Sequence, residues 1–167
     1  MFNRILLLAL LLSLPAWATK PPKKKDYLVR LSTNFGTMHL LLFDQTPKHK
    51  ENFIKLTEQK FYDGLLFHRV IEKFMIQGGD PDSRKAKSGD RLGNGDVGYK
   101  IPAELDATLF HKKGSLAAAR DNNPEKASSG CQFYIVQGRV WDDEGLKTQM
   151  ARSGRSFTED QISTYKT

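Results

Sequence analysis

The first regular pattern in the chain is an alternation of apolar and polar residues that starts at Tyr27. Two runs of strand-forming residues, 27–31 and 37–43, flank a short segment at 34–36 that contains Asn and Gly. Strand-forming runs on either side of an Asn/Gly turn are typical of a β-hairpin. We therefore predict a hairpin at the start of the fold.

A helical period follows the hairpin. Thr46 and Pro47 occupy the positions of an N-cap and a first helical residue, and apolar residues recur on one side of 48–59. Proline is favoured in the first helical turn because its missing N–H is not needed there. These features predict a short amphipathic helix over 48–59.

Short apolar runs separated by glycine, proline and polar residues dominate the middle of the chain. They predict four further strands, at 65–71, 74–77, 114–119 and 132–136. Residues 81–100 contain four glycines among polar side chains, which is typical of a long surface loop. Short strands with one early helix indicate a mainly β fold of the barrel type.

The last part of the chain changes character after Gly138. Residues 142–153 have the composition of a polar helix, and Gly154 is suited to end it. Thr158 and Gln161 have the spacing of a capping box. We therefore predict two polar helices in this part of the chain.

The segment 1–18 has the pattern of a secretory signal peptide. Arg4 provides a positive start, 5–12 is an unbroken apolar run, and Ala-Trp-Ala at 16–18 forms a small-x-small cleavage site. A membrane anchor is the alternative, but the apolar run is well short of the roughly 20 residues needed to cross a bilayer. We expect export to the periplasm or the extracellular space, without stable membrane insertion.

Charge and cysteine content narrow the function. Removal of 1–18 leaves 25 basic against 19 acidic residues, a net charge of +6, and part of this excess lies in the Pro/Lys leader 19–26. We interpret the leader as a solubilising tether. Binding to anionic lipid or polyanions is the alternative, but the lysines lack interleaved aromatic residues, and we expect no nucleic acid as a partner. Cys131 is the only cysteine, so an internal disulfide is excluded, and we expect a buried small residue rather than a nucleophile.

The segment 67–80 carries most of the candidate chemistry. Side chains alternate across a strand, so Arg69 projects from one face of the first run, while Met75 and Gln77 share a face of the second. One strand thus offers a guanidinium, and its neighbour offers a thioether and an amide. Taken alone, these residues also fit an arginine in a surface ion pair and ordinary core packing.

Two stretches resemble the signatures of the cyclophilin family. The first is 67–80, which reads Phe-His-Arg and then Phe-Met-x-Gln-Gly-Gly-Asp, and the second is 129–135, which reads Ser-Gly-Cys-Gln-Phe-Tyr-Ile. They occur in the family's order. Further matches lie at 46–53, 61–64 and 114–120, so that the resemblance covers about 27–137.

The resemblance implies a peptidyl-prolyl cis/trans isomerase with a closed antiparallel β-barrel, acting without metal, cofactor or covalent intermediate. Arg69 is the implied catalytic residue, a donor to the proline nitrogen in the transition state. The implied substrate-binding residues are Phe74, Met75, Gln77, Ala119, Arg120, Gln132 and Tyr134. Because alternation puts the neighbouring Phe74 and Met75 on opposite faces, their shared role requires an irregular strand start at Phe74.

The chain also departs from the family pattern. Tyr134 stands where the family more often has phenylalanine, and His68 points away from Arg69, so we interpret His68 as a structural hydrogen-bonding residue. The family's Leu-Asp-Gly segment does not occur in the sequence, so Trp141 is given no pocket role. We expect 27–167 to be a cyclophilin-like domain, truncated at its C-terminus, with a helical insertion from about 139 and an incomplete barrel that lacks the C-terminal strands.

The first interpretation is an isomerase that assists the folding of exported proteins. Its expected partners are proline-containing peptides and unfolded exported proteins, and its expected state is a monomer. The alternative is a proline-peptide binding module or chaperone without turnover, because missing strands would loosen the pocket and leave edges unpaired. Turnover of a proline peptide separates the two.

Overall fold

The structure, a computed structural model, describes residues 27–166. The predicted signal peptide and leader, 1–26, lie outside the described residues. The described chain begins with the predicted hairpin of β1 (Tyr27–Thr33) and β2 (Gly36–Leu42). Gly36 has a φ of +127°, which explains the glycine at the turn, since residues with a Cβ rarely adopt this conformation.

Helix α1 (Pro47–Glu58) follows, with Thr46 in the predicted N-cap position. The capping chemistry differs from the prediction, because the Thr46 side chain makes no capping hydrogen bond. Instead, the Glu104 carboxylate accepts hydrogen bonds from the backbone N–H groups of Lys48 and His49, both at 3.0 Å. A carboxylate at a helix N-terminus satisfies free N–H groups and complements the helix dipole. The cap is therefore a tertiary contact.

A four-stranded antiparallel sheet occupies the centre of the molecule, in the spatial order β3, β4, β8, β6. A second, two-stranded sheet pairs β5 with β7. The bounds are β3 (Arg69–Ile71), β4 (Met75–Gly78), β5 (Lys100–Ile101), β6 (Leu116–Ala118), β7 (Ser128–Ser129) and β8 (Phe133–Val136). The strands lie within or beside the predicted runs and are shorter, because turns take up the run ends.

The core lies between the hairpin and one face of the central sheet. Leu40, Phe133 and Ile135 are buried at its centre. The rings of Phe53 and Tyr62 each contact the Phe133 ring edge-on at 5.4 Å between centroids, a favoured arrangement for aromatic pairs. These contacts fix the position of β8, which runs through both the core and the site.

The described strands do not join into one ring. They form three separate sheets, namely β1–β2, β3–β4–β8–β6 and β5–β7. The mixture of mainly short strands with helices fits the predicted class. A closed barrel requires every edge strand to pair with a neighbour, and residues 27–166 do not form one.

The predicted loop at 81–100 is partly ordered by local hydrogen bonds. It starts with a short 3₁₀ helix (Pro81–Lys85), whose N-cap residue Asp80 accepts from the Asp82 N–H at 2.8 Å. The second carboxylate oxygen of Asp80 accepts from the N–H of Gly93. Asp80 is fully buried, so its carboxylate ties the far side of the loop to the end of β4.

The two predicted C-terminal helices are present as α2 (Asp143–Ser153) and α3 (Glu159–Tyr165). Gly154 ends α2 in the left-handed conformation, and Thr158 forms the predicted reciprocal capping box at the start of α3. The end of α3 returns to the start of α2, since the Trp141 N–H donates to the Tyr165 carbonyl at 2.9 Å.

Candidate active site

The central sheet places four of its residues in one row across all four strands. Arg69 lies opposite Gln77, Gln77 opposite Tyr134, and Tyr134 opposite Ala117. Residues that pair directly across strands project from the same face. The register therefore brings Arg69, Gln77 and Tyr134 together on the face that is opposite to the Ile135 core.

A chain of side-chain hydrogen bonds runs from this row into the long loop. Arg69 donates to the Gln77 Oε1 at 3.1 Å, and the Gln77 Nε2 donates to the Gln132 Oε1 at 2.9 Å. Gln132 is only 7% exposed and donates in turn to the carbonyls of Gly93 and Gly95, at 3.0 and 2.8 Å. Buried amides with complete hydrogen bonding hold fixed orientations. Gln132 thus orients Gln77, and Gln77 orients Arg69.

Phe74 lies just before β4, in the turn that connects it with β3. Its N–H donates to the Ile71 carbonyl at 3.1 Å, and its own carbonyl accepts from the N–H groups of Gln137 and Gly138. This is the irregular strand start that a shared role with Met75 requires. The Phe74 ring is 48% exposed and lies 6.3 Å from the Tyr134 ring, whereas Met75 is 1% exposed. Phe74 is therefore open to a ligand, whereas the Met75 side chain is closed off from solvent.

Tyr134 forms the aromatic centre of the site face. Burial raises the pKa of its hydroxyl, and the charge of Arg120 opposes this rise. The hydroxyl lies 3.3 Å from the Nε2 of His111, whose ring packs against the Tyr134 ring with the centroids 5.6 Å apart. Arg120 and His111 thus lie close to Tyr134, although only Arg120 was predicted. His111 has no motif around it that could have indicated this contact.

Ala119 and Arg120 follow the end of β6 and differ in how far their hydrogen-bonding groups are already used. The N–H of Ala119 donates to the Gln132 carbonyl at 2.9 Å, and its carbonyl accepts from the Ser129 N–H at 2.8 Å. Its backbone is thus used within the fold. The exposed Arg120 guanidinium donates only a long bond of 3.4 Å to the Asp121 carbonyl among the described contacts. It is the more available of the two for a ligand.

His68 does not make the hydrogen bonds expected of a structural residue. Both of its ring nitrogens are buried, and neither has a hydrogen-bond partner within residues 27–166. Burial lowers the pKa of His68, and the negative charge of Asp80 and the Leu66 backbone oppose this shift. The ring lies beside Gly93, where a Cβ would stand 3.8 Å from Nε2. The structure therefore places His68 as a packing residue under the loop.

Cys131 lies inside the fold. It is 3% exposed, and burial raises the pKa of its thiol, while the Ser129 hydroxyl 3.9 Å away lowers it. This confirms the prediction of a buried small residue. Within residues 27–166 there is no group of three or more His, Cys, Asp or Glu side chains arranged to hold a metal ion. The same part of the chain contains no helix long and apolar enough to span a membrane.

One described groove lies elsewhere on the surface. It has a volume of about 300 Å³ and lies beside the start of α2, where the Arg139 guanidinium stacks 3.5 Å above the Trp141 ring. None of the predicted site residues lines it. The candidate active site is instead an open shelf on the sheet, with Arg69 at one side and the Phe74 and Tyr134 rings beside it.

Comparison with known families gives a match over most of this fold. The family model described as cyclophilin type peptidyl-prolyl cis-trans isomerase/CLD matches residues 28–151. A peptidyl-prolyl cis-trans isomerase of Synechococcus elongatus is 38% identical over 131 residues, which cover 70% of this chain and 82% of that protein. Relatives from Streptococcus pyogenes and Rhizopus delemar are 40% and 39% identical, and the chain spans only 22% and 23% of their lengths.

Solved structures agree with this match. A cyclophilin type peptidyl-prolyl cis-trans isomerase of Cryptosporidium parvum superposes with a TM-score of 0.57 at 30% identity, covering 68% of each chain. The same protein in the presence of the dipeptide Ala-Pro gives a TM-score of 0.54 at 28% identity, covering 73% of this chain and 84% of that one. The chain belongs to the cyclophilin family of peptidyl-prolyl cis-trans isomerases.

Proposed function

We propose that this chain isomerises X-Pro peptide bonds in proteins that are exported from the cytoplasm. One observation carries the proposal beyond family membership. The Arg69 guanidinium is held by Gln77 on the same face as the Tyr134 ring, with the exposed Phe74 ring beside it. A fixed donor next to an aromatic surface is the arrangement that a twisted prolyl bond needs.

The rate problem in this reaction is amide resonance. Rotation about a peptide bond must cross a barrier of about 18–20 kcal/mol, and an X-Pro bond exchanges in tens to hundreds of seconds without a catalyst. In the twisted transition state the proline nitrogen becomes pyramidal and regains its lone pair. A donor aimed at this lone pair stabilises the transition state more than the planar ground state. Arg69 supplies this donor, since one N–H contact to Gln77 leaves other guanidinium N–H groups for the substrate.

The other residues of the shelf hold the substrate in place. The Phe74 and Tyr134 rings take the proline ring between them, over the buried Met75. The Gln77 amide donates one hydrogen to Gln132, which leaves its second hydrogen for the substrate carbonyl. Arg120 contacts the substrate backbone from the side of β6. The Ala-Pro dipeptide present with the Cryptosporidium parvum protein supports proline-containing peptides as the ligand class.

Turnover of a proline peptide tests this function. The full chain is purified, and cis-to-trans relaxation of a short Ala-Pro-containing peptide is followed by exchange NMR, with and without the protein. We expect exchange to accelerate in proportion to the protein concentration. His39→Leu on the exposed hairpin serves as the matched control and is expected to keep the wild-type rate. Uncatalysed exchange in the presence of folded protein would refute the proposal.

A binding module without turnover is the second candidate. It is favoured by the open form of the site, since the described strands do not close around it and the Phe74 ring is half-exposed. The same NMR titration separates the two functions, because a binding module shifts the peptide resonances without accelerating exchange. If the module also acts as a chaperone, it is expected to protect an unfolded protein from aggregation.

Export of the protein, as a monomer, is the remaining part of the proposal. Export is supported by the positive start, apolar run and Ala-Trp-Ala site within 1–18. Mass spectrometry of the protein from its native host is expected to find Thr19 as the first residue. A mature N-terminus at Met1 would contradict export by this route.

A further inference from the structure

Two consecutive residues of one loop link helix α3 to Tyr134 of the candidate site. The Phe110 ring packs against the Tyr165 ring of α3, with the centroids 5.6 Å apart. The next residue, His111, packs against Tyr134 on β8. The predicted helical insertion thus reaches the site through adjacent side chains, although it contributes no residue to the shelf.

The loop that carries these residues is fixed at several points. The N–H of Gly114 donates to the Val136 carbonyl at 2.8 Å, which anchors the loop to β8. The Phe110 carbonyl accepts from the Lys112 N–H at 2.9 Å and from the Ser115 hydroxyl at 3.3 Å. The backbone is thus held on both sides of His111, whose exposed imidazole lies beside the Tyr134 hydroxyl.

We propose that His111 is a positioning residue of this site, which sets the orientation of the Tyr134 ring that receives proline, and that α3 holds His111 in place through Phe110. The inference rests on the proposed function, since it assigns a role within that site. The contact has two parts, a hydrogen bond of 3.3 Å to the hydroxyl and an edge-on ring contact. Together they restrict both the tilt and the rotation of the Tyr134 ring.

The protonation states suit this role. Burial lowers the pKa of His111, so the imidazole is neutral at neutral pH. Burial also raises the pKa of Tyr134, so its hydroxyl keeps its proton. The hydroxyl donates to Nε2 when His111 carries its proton on Nδ1, and it accepts from Nε2 in the other tautomer. A hydrogen bond therefore forms in either case.

The contact also gives the tyrosine a function that phenylalanine could not serve. A phenylalanine at 134 would offer a similar ring but no hydroxyl for His111. The orientation of the Tyr134 ring affects the binding of the proline ring in both the ground state and the transition state. Loss of the contact therefore raises KM more than it lowers kcat. His111 acts through Tyr134 and touches neither the proline nitrogen nor its carbonyl.

A double-mutant cycle tests the inference on the full chain. The substitution His111→Leu is measured in the wild type and in Tyr134→Phe, with the proline-peptide exchange assay. We expect KM to rise about three- to tenfold in the wild type, the effect of one lost hydrogen bond, with little change in kcat. In Tyr134→Phe the same substitution is expected to have a much smaller effect, because the hydroxyl is already gone. His111→Gln, which keeps a polar side chain, is expected to restore part of the loss, and His39→Leu is the control.

A spectroscopic measurement makes the outcome independent of catalysis. The imidazole ¹⁵N shifts of His111 report its hydrogen bonding, and we expect them to change in Tyr134→Phe. Equal effects of His111→Leu in both backgrounds, or unchanged ¹⁵N shifts, would overturn the inference and leave the proposed function standing. A folded wild type that neither binds nor isomerises the peptide would overturn the proposed function itself.

The contribution of α3 has its own variant. Tyr165→Leu removes the ring that packs on Phe110, while keeping an apolar side chain at the end of α3. We expect KM to rise in Tyr165→Leu, as in His111→Leu. In the double variant the rise in KM is expected to be little larger than in either single variant. Fully additive effects, or a wild-type KM in Tyr165→Leu, would show that α3 does not hold His111.

Discussion

Arg69 lies on a short, exposed strand, and its only described side-chain partner is the amide of Gln77. A guanidinium in this setting stays charged and keeps most of its donors free. Because the Gln77 contact is at one edge of the planar group, it fixes the direction of the remaining N–H groups. Among the described contacts, Arg69 is thus oriented by a hydrogen bond and takes part in no ion pair that would occupy its donors.

Removal of this donor tests its role in the rate. In Arg69→Ala we expect kcat for a proline peptide to fall about a hundredfold or more, equivalent to about 3 kcal/mol, with a smaller change in KM. Arg69→Lys should recover little, because lysine keeps the charge but loses the planar fork. The exchange assay measures both constants, and circular dichroism checks folding. Near-wild-type turnover of folded Arg69→Ala would exclude Arg69 as the donor.

Gln132 is the buried link between the shelf and the loop. Gln132→Leu leaves the Gly93 and Gly95 carbonyls and the Gln77 amide without their partner, at a cost of about 1–3 kcal/mol per unsatisfied buried group. We expect a lower melting temperature and reduced kcat. Gln149→Leu on the exposed side of α2 is the matched control. If both substitutions changed Tm equally, Gln132 would not be the link described here.

At the scale of elements, the chain leaving β4 passes close to the chain entering β8 at Gly79. Gly79 has a φ of +93°, and a Cβ there would stand 2.2 Å from the Cys131 carbonyl oxygen. The backbone before Gln132 can therefore pass only over a glycine. This approach sets the spacing on which the bond between Gln77 and Gln132 depends.

Gly79→Ala and Gly89→Ala form a matched pair for this point. Both positions have nearly the same φ, +93° and +94°, but a Cβ at Gly89 would have nothing within 4 Å. The alanine at 89 should cost about 1–2 kcal/mol of unfolding free energy, from backbone strain alone. The alanine at 79 should cost clearly more, because backbone must move. Chemical denaturation measures both, and equal losses would mean that the close approach is unimportant.

At the scale of the whole molecule, Glu104 joins helix α1 to the second sheet. Its side chain is 11% exposed and accepts from two backbone N–H groups of α1 and from the Nδ1 of His49 at 2.7 Å. The other ring nitrogen of His49 lies 3.1 Å from the Ser128 hydroxyl on β7. This network fixes α1 against parts of the chain that are distant in sequence.

The network predicts a pH dependence of stability. Burial raises the pKa of Glu104, but the hydrogen bonds from His49 and Lys48 outweigh it, so the folded-state pKa is lowered. A lowered carboxyl pKa gives stability that is present above the unfolded value of about 4.3 and is lost as the pH falls through the folded value.

Thermal unfolding between pH 7 and pH 3 measures this contribution. We expect Glu104→Gln to be destabilised by about 1–3 kcal/mol at pH 7, because an amide cannot accept all of these hydrogen bonds. The gap to the wild type should narrow as the pH falls below about 4.3. Glu125→Gln at an exposed position is the control. A gap that stays constant over this range would contradict the assignment.

Much of the local structure follows from local sequence. The hairpin at 27–42, helix α1 and the capping box at Thr158 formed where the patterns predict them. Turn chemistry, helix caps and apolar periodicity act over a few residues, so they can be read without the fold. The family signatures at 67–80 and 129–135 likewise indicated the class, which the family match confirms.

Other features depended on register and long-range contact. The sequence named Arg69, Gln77 and Tyr134 as site residues, but only the pairing of β3, β4 and β8 places them in one row. Three contacts of the site and its surroundings join residues 23 to 56 positions apart in the sequence. They are the hydrogen bond between Glu104 and α1, the hydrogen bond between Gln132 and the loop, and the packing of His111 on Tyr134. No local propensity encodes such contacts, because they arise only when the core fixes which strand lies beside which.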